Sequence, residues 1–142
     1  MVTEPHINLA PLERANDRLG RFVARYAEID EDHPDHDVFH TAVVKGFEFT
    51  YELAFNAIRR YVADYVLSPG RVGQMRIPDI LRAAAKNGLY ESSEEWLIFR
   101  QRRNATSHEY LDEDAIDQLV ELAPEFNNAV NSLLVALRDR LE

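Results

Sequence analysis

The chain has 142 residues, 46% of them hydrophobic and 29% charged, which predicts a single domain with one core over residues 1–142. It contains no cysteine, so disulfide bonds and thiolate metal sites are excluded. The formal net charge of −9 argues against a general nucleic-acid binder, because such proteins bind phosphates through a basic surface; any contact with RNA would need a local basic patch.

The N-terminal sequence has neither the basic segment nor the apolar segment of a signal peptide. No stretch of the chain approaches the roughly 20 apolar residues that are needed to span a bilayer. We therefore expect a cytoplasmic protein that makes no membrane contact.

Apolar residues recur at helical spacing through the first half of the chain. From Leu12 to Ile29 they step by three and four residues, which predicts a first helix over residues 11–30. A longer second helix is predicted over residues 37–67, and Gly46 in its interior predicts a close helix crossing. Ser68-Pro69-Gly70 is predicted to end this helix and to begin a loop that extends to about residue 76.

The next two helices are indicated by their end signals. Residues 77–88 predict a short third helix, with a proline in the first turn and Asn87-Gly88 as a left-handed cap. Ser92 stands three residues before Glu95, the spacing of a capping box, and predicts the start of a fourth helix.

The last helix is predicted to begin after Asp112, which has the side chain of a good N-cap. Within it, Pro124 removes a backbone donor and predicts a kink or a short break near residues 121–123. No segment has the pattern of a strand. The predicted fold is all-α, an antiparallel four-helix up-and-down bundle with one extra short helix.

The predicted fourth helix begins with an apolar run over residues 96–99 and then becomes polar. At about 100° per residue, two adjacent stripes run along it: Trp96, Phe99, Arg103, Ser107 and Tyr110 on one, and Arg100, Asn104 and His108 on the other. A guanidinium on an inward stripe is costly unless it meets an anion, water or a partner surface. Such a conflict between pattern and chemistry is typical of a functional site.

Arg103 and His108 have the chemistry of RNA cleavage. A histidine can take the proton of a 2′-hydroxyl or protonate the leaving oxygen, and an arginine can hold the scissile phosphate and stabilise its transition-state charge. Asn104 could orient the histidine or bind the phosphate. The reaction would need neither a metal nor another cofactor.

The spacing alone does not bring this pair together. On an ideal helix, Arg103 and His108 point about 140° apart, so convergence needs a distorted helix end or a symmetric dimer that forms the cleft from two copies. The alternative is an ordinary helix C-terminus, with His108 at the negative end of the dipole and Arg103 in an ion pair.

Arg100, Arg102 and Arg103 form the densest basic cluster of the chain. They are the local patch that an RNA contact would require, and Ser107 shares the stripe of Arg103. We therefore consider Arg100, Arg102 and Ser107 as phosphate- or RNA-binding residues.

Two other groups of residues have a spacing that is found in metal or acid–base sites. Glu48 and Glu52 lie one turn apart, but no Glu-x-x-His repeat accompanies them, so a solvated helix face is favoured. His36 and His40 have the i, i+4 spacing of a helical metal pair, beside His33, but no third ligand from another element is evident. No metal site is predicted.

The segment from Arg103 to Tyr110, RNATSHEY, resembles the R-N-x3-H-x-Y signature of the HEPN superfamily. It is most similar to the branch of nucleotidyltransferase substrate-binding proteins and HepT-type toxins. Residues 45–54, KGFEFTYELA, resemble the second-helix motif of that branch, although Phe55 stands where tryptophan is common. Residues 78–88 and 95–97 resemble its third and fourth helices, and the resemblance covers most of the chain from Phe39 onwards.

This resemblance implies a HEPN-like bundle that forms a homodimer, with the Arg/His motifs lining a cleft at the interface. It also implies a partner, a minimal nucleotidyltransferase encoded by the adjacent gene. In the toxin branch the implied activity is metal-independent RNA cleavage by Arg103 and His108, and the partner acts as antitoxin by adenylylating Tyr110. Two alternatives stay open: a non-catalytic companion that binds or presents substrate to the transferase, and a structural subunit whose motif builds the dimer interface.

Overall fold

The computed structural model describes residues 7–108 and 112–141, and within these ranges every regular element is helical. The four long helices are α1 (Ala10–Glu28), α2 (His36–Tyr61), α5 (Ser93–His108) and α6 (Glu113–Leu141). Between α2 and α5 lie a π-helical turn (Val62–Val66) and two short helices, α3 (Pro69–Val72) and α4 (Ile77–Lys86). None of the helices in the described ranges has both the length and the apolar content of a membrane span.

The four long helices pack as an antiparallel bundle, as the sequence predicted. Both α1 and α5 contact α2 and α6, and α2 and α6 also contact each other. The short α4 packs on α2 and α5. Gly46 lies at the α1–α2 crossing, where a Cβ atom would stand 3.2 Å from the Leu19 side chain, so the predicted close approach is confirmed.

An aromatic cluster joins three of the helices at the centre of the core. Phe126 of α6 has its ring centroid 4.2 Å from that of Phe47 on α2 and 4.9 Å from that of Phe99 on α5. Trp96 packs edge-on against Phe99 at 5.2 Å. All four side chains are buried. The first two turns of α5 are therefore anchored in the core, and this fixes the direction in which the rest of α5 extends.

A buried asparagine of α1 and a partly buried asparagine of α6 link these two helices. Asn16, which is 1% exposed, donates through Nδ2 to the carbonyl oxygen of Asn127 and to Oδ1 of Asn131. Asn127 donates in return through Nδ2 to the carbonyl oxygen and Oδ1 of Asn16. Because these reciprocal bonds require one alignment of the two helices, they set the register of α1 against α6.

The predicted helix ends are largely confirmed. Ser92 Oγ accepts from the backbone N–H of Glu95 at 3.2 Å, and Asp112 Oδ1 accepts from that of Ala115 at 3.1 Å. Of the kink or short break predicted near residues 121–123, the break is absent, since α6 is continuous from Glu113 to Leu141 with Pro124 inside it. The buried neighbours Ala123 and Phe126 hold this segment against the core, and that packing outweighs the loss of one backbone hydrogen bond.

The segment after the second helix also differs from the prediction. The α-helical geometry ends at Tyr61 and becomes π-helical up to Val66. The predicted loop contains α3, which begins after Ser68, whose Oγ accepts from the backbone N–H of Arg71. Val72 anchors this turn by its burial in the core, a long-range effect that local sequence signals do not report.

Gly88 ends α4 with a φ of +82°, as the predicted left-handed cap requires. We expect Gly88→Ala to lower the free energy of unfolding by about 1–2 kcal/mol, because a Cβ atom is strained at positive φ. The new Cβ would also stand 3.1 Å from Arg140 Nη2. Urea denaturation would measure the effect, with Gly70→Ala as control, since nothing lies within 4 Å of a Cβ atom at Gly70. Equal stability of the two variants would contradict the prediction.

Candidate functional site

The second half of α5 carries the polar motif, and the anchored first half directs part of it toward α2. Arg103 is the best-defined residue of this region. Its Nη2 donates to Glu52 Oε2 on α2 at 2.5 Å, and its Nη1 donates to Asn104 Oδ1 at 3.2 Å. The side chain of Arg103 is 30% exposed, against 51% for Glu52. The guanidinium therefore lies at the boundary between the core and solvent, where an external anion can approach it.

A second contact joins the same two helices one turn away. Thr106 is buried, and its Oγ1 lies 2.7 Å from Glu48 Oε2 and 3.1 Å from the carbonyl oxygen of Arg103. The single hydroxyl proton is directed to the nearer, charged acceptor. Glu48 is 15% exposed and is also paired with Lys45 Nζ at 3.4 Å. The two carboxylates of α2 thus hold the motif-bearing part of α5.

This placement corrects the sequence-based view of Glu48 and Glu52. Their spacing favoured a solvated helix face, but both carboxylates bind side chains of α5, and Glu48 is mostly buried. The prediction was wrong because helical periodicity shows which residues share a face of a helix but not which neighbouring helix that face contacts. Two features of the sequence could have indicated the contact. The second-helix motif carries two acids at i, i+4 spacing, and the inward stripe of the fourth helix carries an arginine.

Tyr51 lies between these two acids on α2, and its hydroxyl is buried without a hydrogen-bond partner among the described residues. Burial raises the pKa of Tyr51 well above its ordinary value; the positive charges of Arg100 and Arg103 oppose this rise, and Glu52 adds to it. The hydroxyl is therefore neutral and lies within the electrostatic reach of both arginines. The helical periodicity of the second helix predicts Tyr51 on its buried face and gives no indication of a link to the motif on α5.

The basic cluster is divided by the fold. Arg103 binds Glu52 of α2, and the positive charges of Arg100 and Arg103 lower the pKa of Tyr51 on the same helix. Arg102 instead lines a shallow cavity of about 220 Å³ next to α6, together with Ile98 and Gln118. Arg102 and Arg103 therefore face different neighbours, α6 and α2, from the same helix.

The remaining predicted site residues are only partly described. Asn104 is placed by its contact with Arg103, while Ser107 and His108 belong to the last turn of α5. The side chains of Ser107 and His108, and the whole of Tyr110, lie outside the described part of the chain. Their roles stay predictions from the sequence.

The two histidines with the spacing of a metal pair lie apart from this motif, against Tyr26 of α1. His36 and His40 pack on Tyr26, with ring centroids 5.0 and 5.7 Å from the tyrosine ring. His40 Nε2 lies 3.8 Å from Asp117 Oδ1. A cavity of about 450 Å³ opens beside them between α1, α2 and α6, and Tyr26 and Asp117 line it. Over residues 7–108 and 112–141, no group of three or more potential protein ligands is arranged to bind a metal ion.

Comparison with known proteins gives three results. The family described as nucleotidyltransferase substrate binding protein like matches residues 7–139. The chain is 31% identical over 104 residues to the probable ribonuclease HepT of Haemophilus influenzae, covering 73% of this chain and 70% of that protein. Its fold is similar, with a TM-score of 0.81 and 26% identity, to a Haemophilus influenzae structure described as the fold of a substrate binding domain of a nucleotidyltransferase, covering 92% of this chain and 99% of that one. The chain belongs to the family of nucleotidyltransferase substrate binding protein like proteins.

Proposed function

We propose that this chain is the partner subunit of a minimal nucleotidyltransferase and a HepT-type toxin that cleaves RNA without a metal ion. The observation that carries the proposal is the position of Arg103, which α2 and α5 hold at the edge of solvent within the R-N-x3-H-x-Y segment. The similarity to a probable ribonuclease HepT supports the same activity.

In the proposed reaction, Arg103 binds the scissile phosphate and stabilises the negative charge that develops on it. The 2′-hydroxyl oxygen forms a bond to phosphorus while the bond from phosphorus to the 5′-oxygen breaks, which leaves a 2′,3′-cyclic phosphate and a 5′-hydroxyl. His108 handles the protons: the proton of the 2′-hydroxyl is removed, and the leaving 5′-oxygen receives one. Asn104 assists by fixing the guanidinium through its Oδ1.

The proposal includes a homodimer and a regulatory modification. A symmetric dimer would bring two copies of the motif to one cleft and so overcome the angular separation of Arg103 and His108 along a single helix. The nucleotidyltransferase, encoded by the adjacent gene, would act as antitoxin by adenylylating Tyr110. The added phosphate would compete for Arg103, because its charge is the same as that of the RNA backbone.

A second function has its own support. Arg103 is already paired with Glu52, and the chain as a whole is acidic, with a net charge of −9. Both features reduce the attraction for RNA, which favours a non-catalytic companion that binds or presents substrate to the transferase. The similar Haemophilus influenzae structure, described as a substrate binding domain, agrees with this role.

Cleavage of RNA by the isolated chain in EDTA decides between the two functions. We expect the wild-type protein to cleave and His108→Ala to lose at least about 100-fold of the rate while keeping its thermal melting temperature, because a proton-transfer group contributes about 10²–10⁴-fold. Intact mass would first establish that the sample is unmodified. A folded, unmodified wild-type dimer that does not cleave would refute the ribonuclease, and the transferase's activity with and without this chain would then test the companion role.

A further inference from the structure

The ion pair between Arg103 and Glu52 differs from most others in the described chain. Local pairs, such as Arg25 with Glu28, join residues three or four positions apart on one helix. Arg103 and Glu52 are 51 residues apart and join α5 to α2. Because Glu52 is 51% exposed, this pair adds little to the stability of the fold. Its position at the motif calls for another explanation.

The geometry fixes the plane of the guanidinium. Nη2 donates to Glu52 on α2, and Nη1 donates to Asn104 on α5 itself. Two acceptors on different helices determine the orientation of a rigid, planar group, whereas one acceptor would leave it free to turn. These two bonds use two of the five N–H groups of an arginine. The Nε–H of Arg103 is buried and has no hydrogen-bond partner among the described residues, so one further N–H on each Nη atom is left to donate to a phosphate.

The contact between Glu48 and Thr106 strengthens this arrangement. Glu48 lies one turn before Glu52 and binds the buried Thr106, which is one turn beyond Arg103. The backbone that carries Arg103 is thus held against α2 close to the ion pair. The Cα atom of Arg103 is therefore already held in place without Glu52. The specific effect of Glu52 is on the direction of the Arg103 side chain.

We propose that Glu52 is a positioning residue that sets the orientation of the Arg103 guanidinium for a phosphate, at the cost of part of its attraction for that phosphate. The proposal rests on the ribonuclease function proposed above. A carboxylate beside the arginine weakens the binding of any anion in the ground state. The same carboxylate keeps the donors aligned in the transition state, where their direction matters most.

Because Glu52 orients Arg103 but also weakens its attraction for phosphate, removing Glu52 should affect kcat and KM differently. We expect Glu52→Ala to lower kcat for RNA cleavage by about 10–100-fold, the effect of a small misplacement of a binding group. KM should stay equal or fall, because a negative charge has been removed from the site. Glu52→Gln should lose less kcat than Glu52→Ala, since its amide oxygen can still accept from Arg103.

Glu13 provides a matched control. It pairs with Arg138 at 2.6 Å across α1 and α6, and the two side chains are 40% and 47% exposed. Glu13→Ala therefore removes a comparable ion pair between helices, far along the chain from the motif, and should leave kcat and KM unchanged. An unchanged kcat in Glu52→Ala, or a raised KM with constant kcat, would overturn the positioning role.

A measurement without RNA separates this proposal from the ribonuclease function. The Nε–Hε resonance of Arg103 in a ¹⁵N NMR spectrum can be assigned by its loss in Arg103→Lys. We expect this resonance to shift and broaden in Glu52→Ala and to stay unchanged in Glu13→Ala. If the wild-type protein does not cleave RNA, the proposed function fails while this spectrum still tests the orientation. An unchanged resonance in Glu52→Ala would show that Glu52 does not position Arg103.

Discussion

Arg103→Lys is expected to lower the rate of RNA cleavage by about 10²–10³-fold, the usual effect of removing one donor that stabilises a developing oxyanion. Lysine keeps the positive charge but lacks the planar fork. Its ammonium is a single group, whereas the guanidinium reaches Glu52 and Asn104 through separate nitrogens. In Arg103→Lys, a phosphate would therefore still be attracted by a positive charge, but it would lack hydrogen-bond donors aligned with its oxygens. Steady-state cleavage of a fluorescent RNA in EDTA would measure the loss.

The control for this variant is Arg82→Lys. Arg82 lies on α4 and pairs with Asp79 at 3.1 Å, and its side chain is 59% exposed. The same exchange at this exposed pair should change neither the cleavage rate nor the melting temperature by a measurable amount. Equal activity of Arg103→Lys and Arg82→Lys would remove Arg103 from the mechanism. A loss of melting temperature in Arg103→Lys alone would instead assign it a structural role.

Phe126→Ala is expected to lower the free energy of unfolding by about 3–5 kcal/mol. Phe126 is fully buried on α6, and its ring contacts Phe47 of α2 and both Phe99 and Trp96 of α5. Removing the ring leaves a cavity where three helices meet, and the surrounding aromatic rings are too constrained by one another to fill it. Urea denaturation followed by circular dichroism would measure the change.

Val135→Ala on the same helix is the control, because Val135 is 57% exposed. Its effect should stay within about 0.5 kcal/mol, as for most surface substitutions. A cost below about 1 kcal/mol for Phe126→Ala would contradict the central position of this ring, since truncation of a buried phenylalanine ordinarily costs several times as much. Phe126→Leu, which refills much of the volume, should recover part of the loss.

Local signals in the sequence predicted most of the fold. Ser92, Asp112 and Gly88 ended or began helices where they were expected to, because capping depends on groups within a few residues of one another. The short break predicted near residues 121–123, just before Pro124, is absent. A proline removes one backbone bond, but the packing of the surrounding turns on the core decides whether the helix continues, and here α6 does so without interruption.

The helical class, the amphipathic faces and the arginine on an otherwise inward stripe were all predictable from the sequence. These properties follow from residue chemistry and from the period of a single helix. The partners of that arginine depend instead on how α2 and α5 pack against each other. Glu52 and Glu48 lie 51 and 58 residues from their α5 partners, and a helix's own periodicity carries no information about the neighbour across the bundle. The sequence therefore predicted a solvated face for the two acids, whereas the packing of α2 on α5 gives both of them partners on α5.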